Sequence, residues 1–186
     1  ANYPFATIDP NVGVVTVPDE RLSTLKDKYN PLRILPTTFE FTDIAGLVEG
    51  ASSGEGWGNK FFSHIREVDA IVEVVRCFDD PDIIHVSGNV DPIRDIEIIN
   101  VELILADLEI IENRINKIHK KANTLKDKEA IKEFDTLSKA KESLLKNIPL
   151  RRETFTQEEL DILKAFNFIT IKPGVFPIHF SSIKFC

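Results

Sequence analysis

The sequence predicts an α/β fold from which a helical hairpin projects, and three features carry that expectation. A β-branched segment, a glycine-rich loop, a helix and a second apolar segment follow one another between Thr38 and Val75, the order of a βαβ unit. From Asp95 to Ile148, apolar residues recur at spacings of three and four, the period of helices that bury one face. The composition, 42% hydrophobic and 28% charged over 186 residues, suits one domain with an appendage and excludes collagenous, low-complexity and wholly disordered classes.

Taken in order, Val12 to Val17 is an apolar, β-branched run closed by Pro18, and Thr38-Phe39-Glu40-Phe41-Thr42 alternates until Asp43; both read as short strands. The densest glycine cluster, Gly46, Gly50, Gly54, Gly56 and Gly58, leads into a helix around Asn59 to Ile65. Ala70 to Val75 is continuously apolar apart from Glu73, as expected of a strand covered on both faces. Val101, Leu105, Leu108, Ile111, Ile115, Ile118, Ala122 and Leu125 then form one helical stripe. Ile96, Ile99, Leu103, Ala106 and Ile110 form a second, over the first half alone. The first half therefore needs partners on two faces and the second half on one. A helix of ~28 residues would reach about 40 Å outward, and its partner is the next helix, with Ile131, Phe134, Leu137, Ala140, Leu144 and Ile148 as the apolar face. Thr156-Gln157-Glu158-Glu159 has the form of a helix start. Phe168 to Ile171 reads as a short strand broken by Lys172-Pro173-Gly174.

Charge and cysteine content narrow the classes of function. With 23 basic and 30 acidic residues the net charge is −7, so any contact with nucleic acid must come from a local patch. Such a patch exists on the arm. Asp95 to Glu112 holds six acids and no base, whereas Arg114, Lys117, Lys120, Lys121, Lys126 and Lys128 face only Asp127 over the following stretch. The cluster is a footprint for RNA and equally a soluble helix end whose cations complement the dipole. No apolar run approaches the roughly 18 residues that span a bilayer and no signal pattern opens the chain, so no membrane partner is expected. Cys77 and Cys186 form neither a disulfide framework nor zinc spacing, which suits the cytoplasm. Nothing indicates an oligomeric state. The chain begins at Ala1 rather than a Met, and both ends are treated as possible cuts.

Asp43-Ile44-Ala45-Gly46, at the end of a strand, has the form Asp-x-x-Gly. A carboxylate there can hold the water shell of Mg²⁺, and a glycine lets a backbone N–H approach a terminal phosphate. The same four residues also describe an Asp capping the turn that follows. The surrounding sequence decides between them. Asn2-Tyr3-Pro4-Phe5-Ala6-Thr7-Ile8-Asp9-Pro10-Asn11, Asp43 to Ser52 and Gly54-Glu55-Gly56-Trp57-Gly58-Asn59-Lys60-Phe61 resemble the YchF family of Obg-like ATPases, P-loop NTPases of the translation-factor class. Val75-Arg76-Cys77-Phe78, Ile84-His85-Val86, Val90-Asp91-Pro92 and Asp95 to Asn100 extend the likeness, which runs from residue 1 to about 173.

The resemblance implies a P-loop NTPase-type, mostly parallel sheet, incomplete here, with an inserted coiled-coil hairpin. Residues 1–94 would be the first part of the nucleotide-binding α/β domain, 95–148 the hairpin, and 149–186 a truncated return. It implies Mg²⁺-dependent binding and hydrolysis of ATP, also GTP, and association with the ribosome. Thr7 would ligate Mg²⁺, Asp43 would contact it through water, and Gly46 would address the terminal phosphate. Leu47 stands where many relatives carry the Gln that orients the attacking water, so another group must do so. Of the four histidines, His64 is on the helix after the loop, His119 on the arm and His179 in a tail that departs from the family pattern. His85, which the resemblance places on the nucleotide side of the sheet, is the catalytic candidate, against a role in holding its own loop. The phosphate-binding loop is expected before Ala1 and the base-reading motif near residue 180; neither is in these residues, so choice of purine is not encoded and the chain alone is expected to bind nucleotide weakly. The alternative is a non-catalytic RNA- or ribosome-binding module acting through the basic arm.

Overall fold

The structure is a computed structural model and describes residues 11–44, 57–80, 82, 83, 85, 88–124 and 126–179. Two compact units form, one around residues 3–46 and one from 47 onward.

In the first unit, β1 (Asn11–Thr16) and β2 (Thr38–Asp43) pair antiparallel from Asn11 opposite Asp43 to Thr16 opposite Thr38. Both strands were expected. Between them α1 (Glu20–Tyr29) was not; its start is marked by Asp19, whose carboxylate accepts from the Arg21 amide, and its end by Asn30 in the left-handed region at φ 41°. Its apolar residues Leu22, Leu25 and Tyr29 fall at helical spacing, but over only two turns and among charged residues, and none is buried.

The second unit begins with α2 (Trp57–Glu67), which buries Phe62 and Ile65. The strand expected over 70–75 forms as two short pieces, β3 (Ile71–Val72) and β4 (Val75–Arg76). It is not covered on both faces: Val72 and Val74 are 43% and 71% exposed. The arm is α3 (Pro92–Asn123) folded back on α4 (Lys128–Leu145). Antiparallel packing buries Ile104, Ile111 and Ile118 against Leu137, Ala140 and Leu144, and pairs such as Arg114 with Glu133 and Glu112 with Lys141 flank it. α3 has 32 residues, about 48 Å, longer than expected because Asp91 caps it and Pro92 occupies the first turn. A 3-10 turn at Leu150–Arg152 leads to α5 (Gln157–Lys164), which opens with the expected capping box between Thr156 and Glu159. Two short strands follow, β5 (Gly174–Val175) parallel to β3 and β6 (Ile178–His179) parallel to β4. Backbone bonds from Ile71, Glu73 and Val75 to Pro173, Val175 and Pro177 join these into one continuous edge.

Two expectations are corrected. Phe168 to Ile171 is not a strand, and Gly174 starts a strand rather than breaking one. The amides of Ile169 and Thr170 donate to the Asp107 carboxylate instead of a neighbouring strand. The expected core stripe of α3 forms from Leu108 to Ala122 but not at its start, where Ile104 takes the inward place. Ile104, Ile111 and Ile118 pack with Leu137, Ala140, Leu144, Leu150, Leu163 and Phe168, while Val101 and Leu105 are 40% and 44% exposed. With Leu103-Ile104-Leu105-Ala106 all apolar, spacing does not decide which residue faces inward.

Candidate nucleotide site and basic arm

Thr7, Gly46 and Leu47 lie outside the described residues. Asp43 ends β2 with its side chain exposed, opposite Asn11. Its oxygens are the hard donors that Mg²⁺ prefers, and that ion commonly keeps several waters while using one or two carboxylates. Among the described residues no three His, Cys, Asp or Glu converge into a closed metal site. An exposed lone carboxylate fits a water-mediated contact and does not fit a buried cage.

His85 follows the loop beyond the carboxyl end of β4, and Arg76 shapes that loop. Its guanidinium donates to the carbonyl oxygens of Phe78, Ile83 and Asp80 at 3.0, 3.1 and 3.4 Å and lies 4.8 Å from the centre of the Phe78 ring. Planar, with five N–H donors in a fixed fork, it holds three carbonyls of one loop in a set geometry that a freely rotating ammonium would not impose. The His85 Nε2 then meets Asp95 Oδ2 at 3.0 Å, with both side chains largely covered. The other Asp95 oxygen accepts from Arg94, which also donates to the side chain and backbone of Asn89. An imidazole anchored through one nitrogen to a carboxylate has its ring plane and tautomer set, the arrangement by which a carboxylate orients a catalytic histidine. Asp95 and Arg76 were missed in the sequence. Asp95 looked like one more acid at a helix start, and Arg76 like the end of a strand.

Glu73, between β3 and β4, is pushed up to about 7 by burial; the Asp95 charge adds to the shift and Arg151 opposes it. Arg151 is itself lowered, chiefly by burial, and donates to Asn100 Oδ1 at 3.2 Å.

The six cations of the arm separate into two groups. Arg114 is committed: its Nε and Nη2 reach the two oxygens of Glu133 at 2.5 and 2.9 Å. Lys117, Lys120, Lys121, Lys126 and Lys128 are exposed and form no ion pair among the described residues. They gather at the turn between α3 and α4, where Lys126 takes the left-handed conformation at φ 57°. No described helix is long and apolar enough to cross a membrane.

Known proteins match this arrangement along nearly the whole chain. The profile of the family described as 50S ribosome-binding GTPase matches residues 1–118. The ribosome-binding ATPase YchF of Bacillus subtilis is 58% identical over 93% of the chain and 47% of that relative. The protein of the same description from Haemophilus ducreyi is 52% identical over 95% of the chain and 48% of its own length. The solved structure of the Schizosaccharomyces pombe YchF GTPase superposes with a TM-score of 0.73 at 44% identity, covering 95% of this chain and 48% of that one. The chain thus spans about half the length of the relatives it matches. Fold and residues together place the chain in the 50S ribosome-binding GTPase family, as a member of its YchF group.

Proposed function

We propose that the protein takes part in Mg²⁺-dependent binding and hydrolysis of ATP, or GTP, linked to the ribosome. Residues 1–94 would supply the switch elements, 95–148 the arm and 149–186 the returning part of the sheet. The observation that carries the reading is the oriented histidine. In open α/β sheets ligands bind beyond the carboxyl ends of the strands; that His85 follows the loop leaving β4 and is held by Asp95 supports the same position for it here. His85 would orient the attacking water that Leu47 cannot, Gly46 would address the terminal phosphate, and Asp43 with Thr7 would hold the metal. When bound, Mg²⁺ would neutralise charge on the phosphates. In the full-length protein, His85→Ala should lower the hydrolysis rate at least tenfold, about 1.4 kcal/mol of barrier, with nucleotide affinity nearly unchanged. Equal losses of rate and affinity would assign His85 to its loop alone. Asp43→Asn should weaken nucleotide binding in Mg²⁺ and leave Mg²⁺-free binding as it was.

The five exposed lysines at the end of the arm, without an ion pair among the described residues, support a second role for the same molecule, contact with ribosomal RNA. Charge reversal at Lys117, Lys120 and Lys121 should weaken RNA binding and flatten its salt dependence, each lost phosphate contact reducing the logarithmic slope by roughly one. Hydrolysis without ribosomes should not change. RNA binding that ignores salt or survives the reversal would return the cluster to solubility.

A further inference from the structure

Asp107 is fully buried although it is charged. It stands three residues after Ile104 and four before Ile111, on the stripe that faces the core. Its two oxygens are saturated by partners from two distant segments. Oδ1 accepts from Arg66 Nη1 at 2.9 Å and from the Ile169 amide at 3.0 Å; Oδ2 accepts from the amide and hydroxyl of Thr170 at 2.7 and 2.8 Å. Arg66, in the last turn of α2, also donates to the carbonyl oxygens of Ala106 and Asn167 at 3.2 and 3.1 Å. Lys172 completes the connection by donating to the carbonyl oxygens of Arg66, at 3.0 Å, and Val68. Three segments far apart in sequence are thus fastened at one point: the end of α2, the middle of α3, and residues 167–172.

We propose that the Arg66–Asp107 pair is the joint that couples α2 to the arm, so that nucleotide state and the arm's hold on its ribosomal partner depend on each other. The proposal rests on the nucleotide-hydrolase reading above. Its physical basis is the cost of breaking the pair. A displacement of α2 against α3 that stretches it leaves a buried carboxylate without one of its four partners, which is far more costly than loss of an exposed ion pair. Motion in which α2, α3 and residues 167–172 travel together leaves every bond intact. Gly46, which the family reading assigns to the terminal phosphate, opens the glycine-rich sequence that runs on into Trp57, the first residue of α2. Whatever moves the start of α2 therefore bears, through its last turn, on the middle of α3.

Coupling of this kind is reciprocal: if nucleotide changes ribosome affinity by some factor, ribosomes change nucleotide affinity by the same factor. The test uses the full-length protein, 70S ribosomes and a non-hydrolysable ATP analogue with Mg²⁺. Dissociation constants are measured for each ligand alone and in the presence of the other. In wild type each should shift the other's constant at least fivefold. In Arg66→Ala and Arg66→Lys the shift should fall below twofold, while the constants for each ligand alone stay within twofold of wild type. Lysine keeps the charge and loses the fork that reaches Asp107, Ala106 and Asn167 at once. These variants carry the test because Arg66 is 18% exposed at the rim of the joint, where water can enter in its place, whereas Asp107 is fully buried and has no such replacement. An unchanged shift in both variants, or none in wild type, overturns the proposal. Failure to bind the analogue at all overturns the hydrolase reading instead. The joint is then judged by hydrogen exchange: RNA bound at the arm should alter exchange of α2 amides in wild type and not in Arg66→Ala, and unaltered exchange in wild type overturns it.

Discussion

In the β1–β2 hairpin Val12, Val14, Val15, Phe39 and Phe41 remain 47–61% exposed, whereas Ile111, Leu137, Leu163 and Phe168 around the arm's root are 0% exposed. Both regions are rich in large apolar side chains. They differ in what each can cover by itself. A two-stranded ladder satisfies the backbone of its own strands and leaves both faces to be covered from elsewhere. A helical hairpin turns two stripes toward each other within about forty residues, and α5 and Phe168 then close the end. Thus local chain order gives the arm a core of its own, whereas the hairpin's cohesion rests on backbone bonds, and Phe39 and Phe41, two residues apart on one face of β2, cover mainly each other, with ring centres 4.8 Å apart.

The comparison breaks if truncation costs the same in both regions. Leu137→Ala should destabilise by about 2–5 kcal/mol, since its site is enclosed, and Phe41→Ala by less than about 1 kcal/mol; urea melts of the two variants measure the difference. Equal midpoints would mean that the hairpin is covered as well as the arm is.

A pH series sharpens the contrast between covered and open positions. Glu73 carries a folded value of about 7, above the usual carboxylate value. The folded protein therefore holds a proton that the unfolded chain releases. Its contribution is fully present below about pH 4.5 and is lost as pH rises through 7; because Glu73 is only partly covered, solvent screening holds the loss to roughly 1–2 kcal/mol. Stability should fall between pH 5 and pH 8, and Glu73→Gln should remove the fall and raise stability at pH 8. A flat profile in the wild type would show that Glu73 is better solvated than its burial indicates.

The smallest effect belongs to the arm's surface. Arg114 and Glu133 form a two-pronged pair, but Arg114 is 43% exposed, and solvent screening should hold their coupling to about 0.5–1 kcal/mol. A double-mutant cycle measures it, and a value several times larger would make this pair a main support of the hairpin.

What could be read from the chain follows the same division. The arm was legible because its stripes are long and its caps are local: Thr156 and Glu159 announce α5 within four residues. The fastening at Asp107 was not, because its partners Arg66, Ile169 and Thr170 are 41, 62 and 63 residues away. A charged residue inside an apolar helical stripe was its only sign. The misread strand at Phe168 to Ile171 has the same origin, since apolar residues buried as a turn around a carboxylate are indistinguishable by composition from residues buried in a sheet. Of the candidate nucleotide-site residues, Asp43 and Gly46 are written in the sequence as a motif. The grip of Asp95 on His85 depends on how the loop after β4 wraps Arg76, which no spacing rule describes.

The length of α3 gives its midpoint a mechanical meaning. Sixteen residues separate Asp107 from Asn123, so the helix end stands about 24 Å from that point. A tilt of about 5° there would carry the end through about 2 Å. For the lysines around the turn, a step of that size separates an ammonium touching a phosphate from one held off by a water. A rotation too small to disturb the packing at the root is thus large enough, at the far end, to decide whether contact is made.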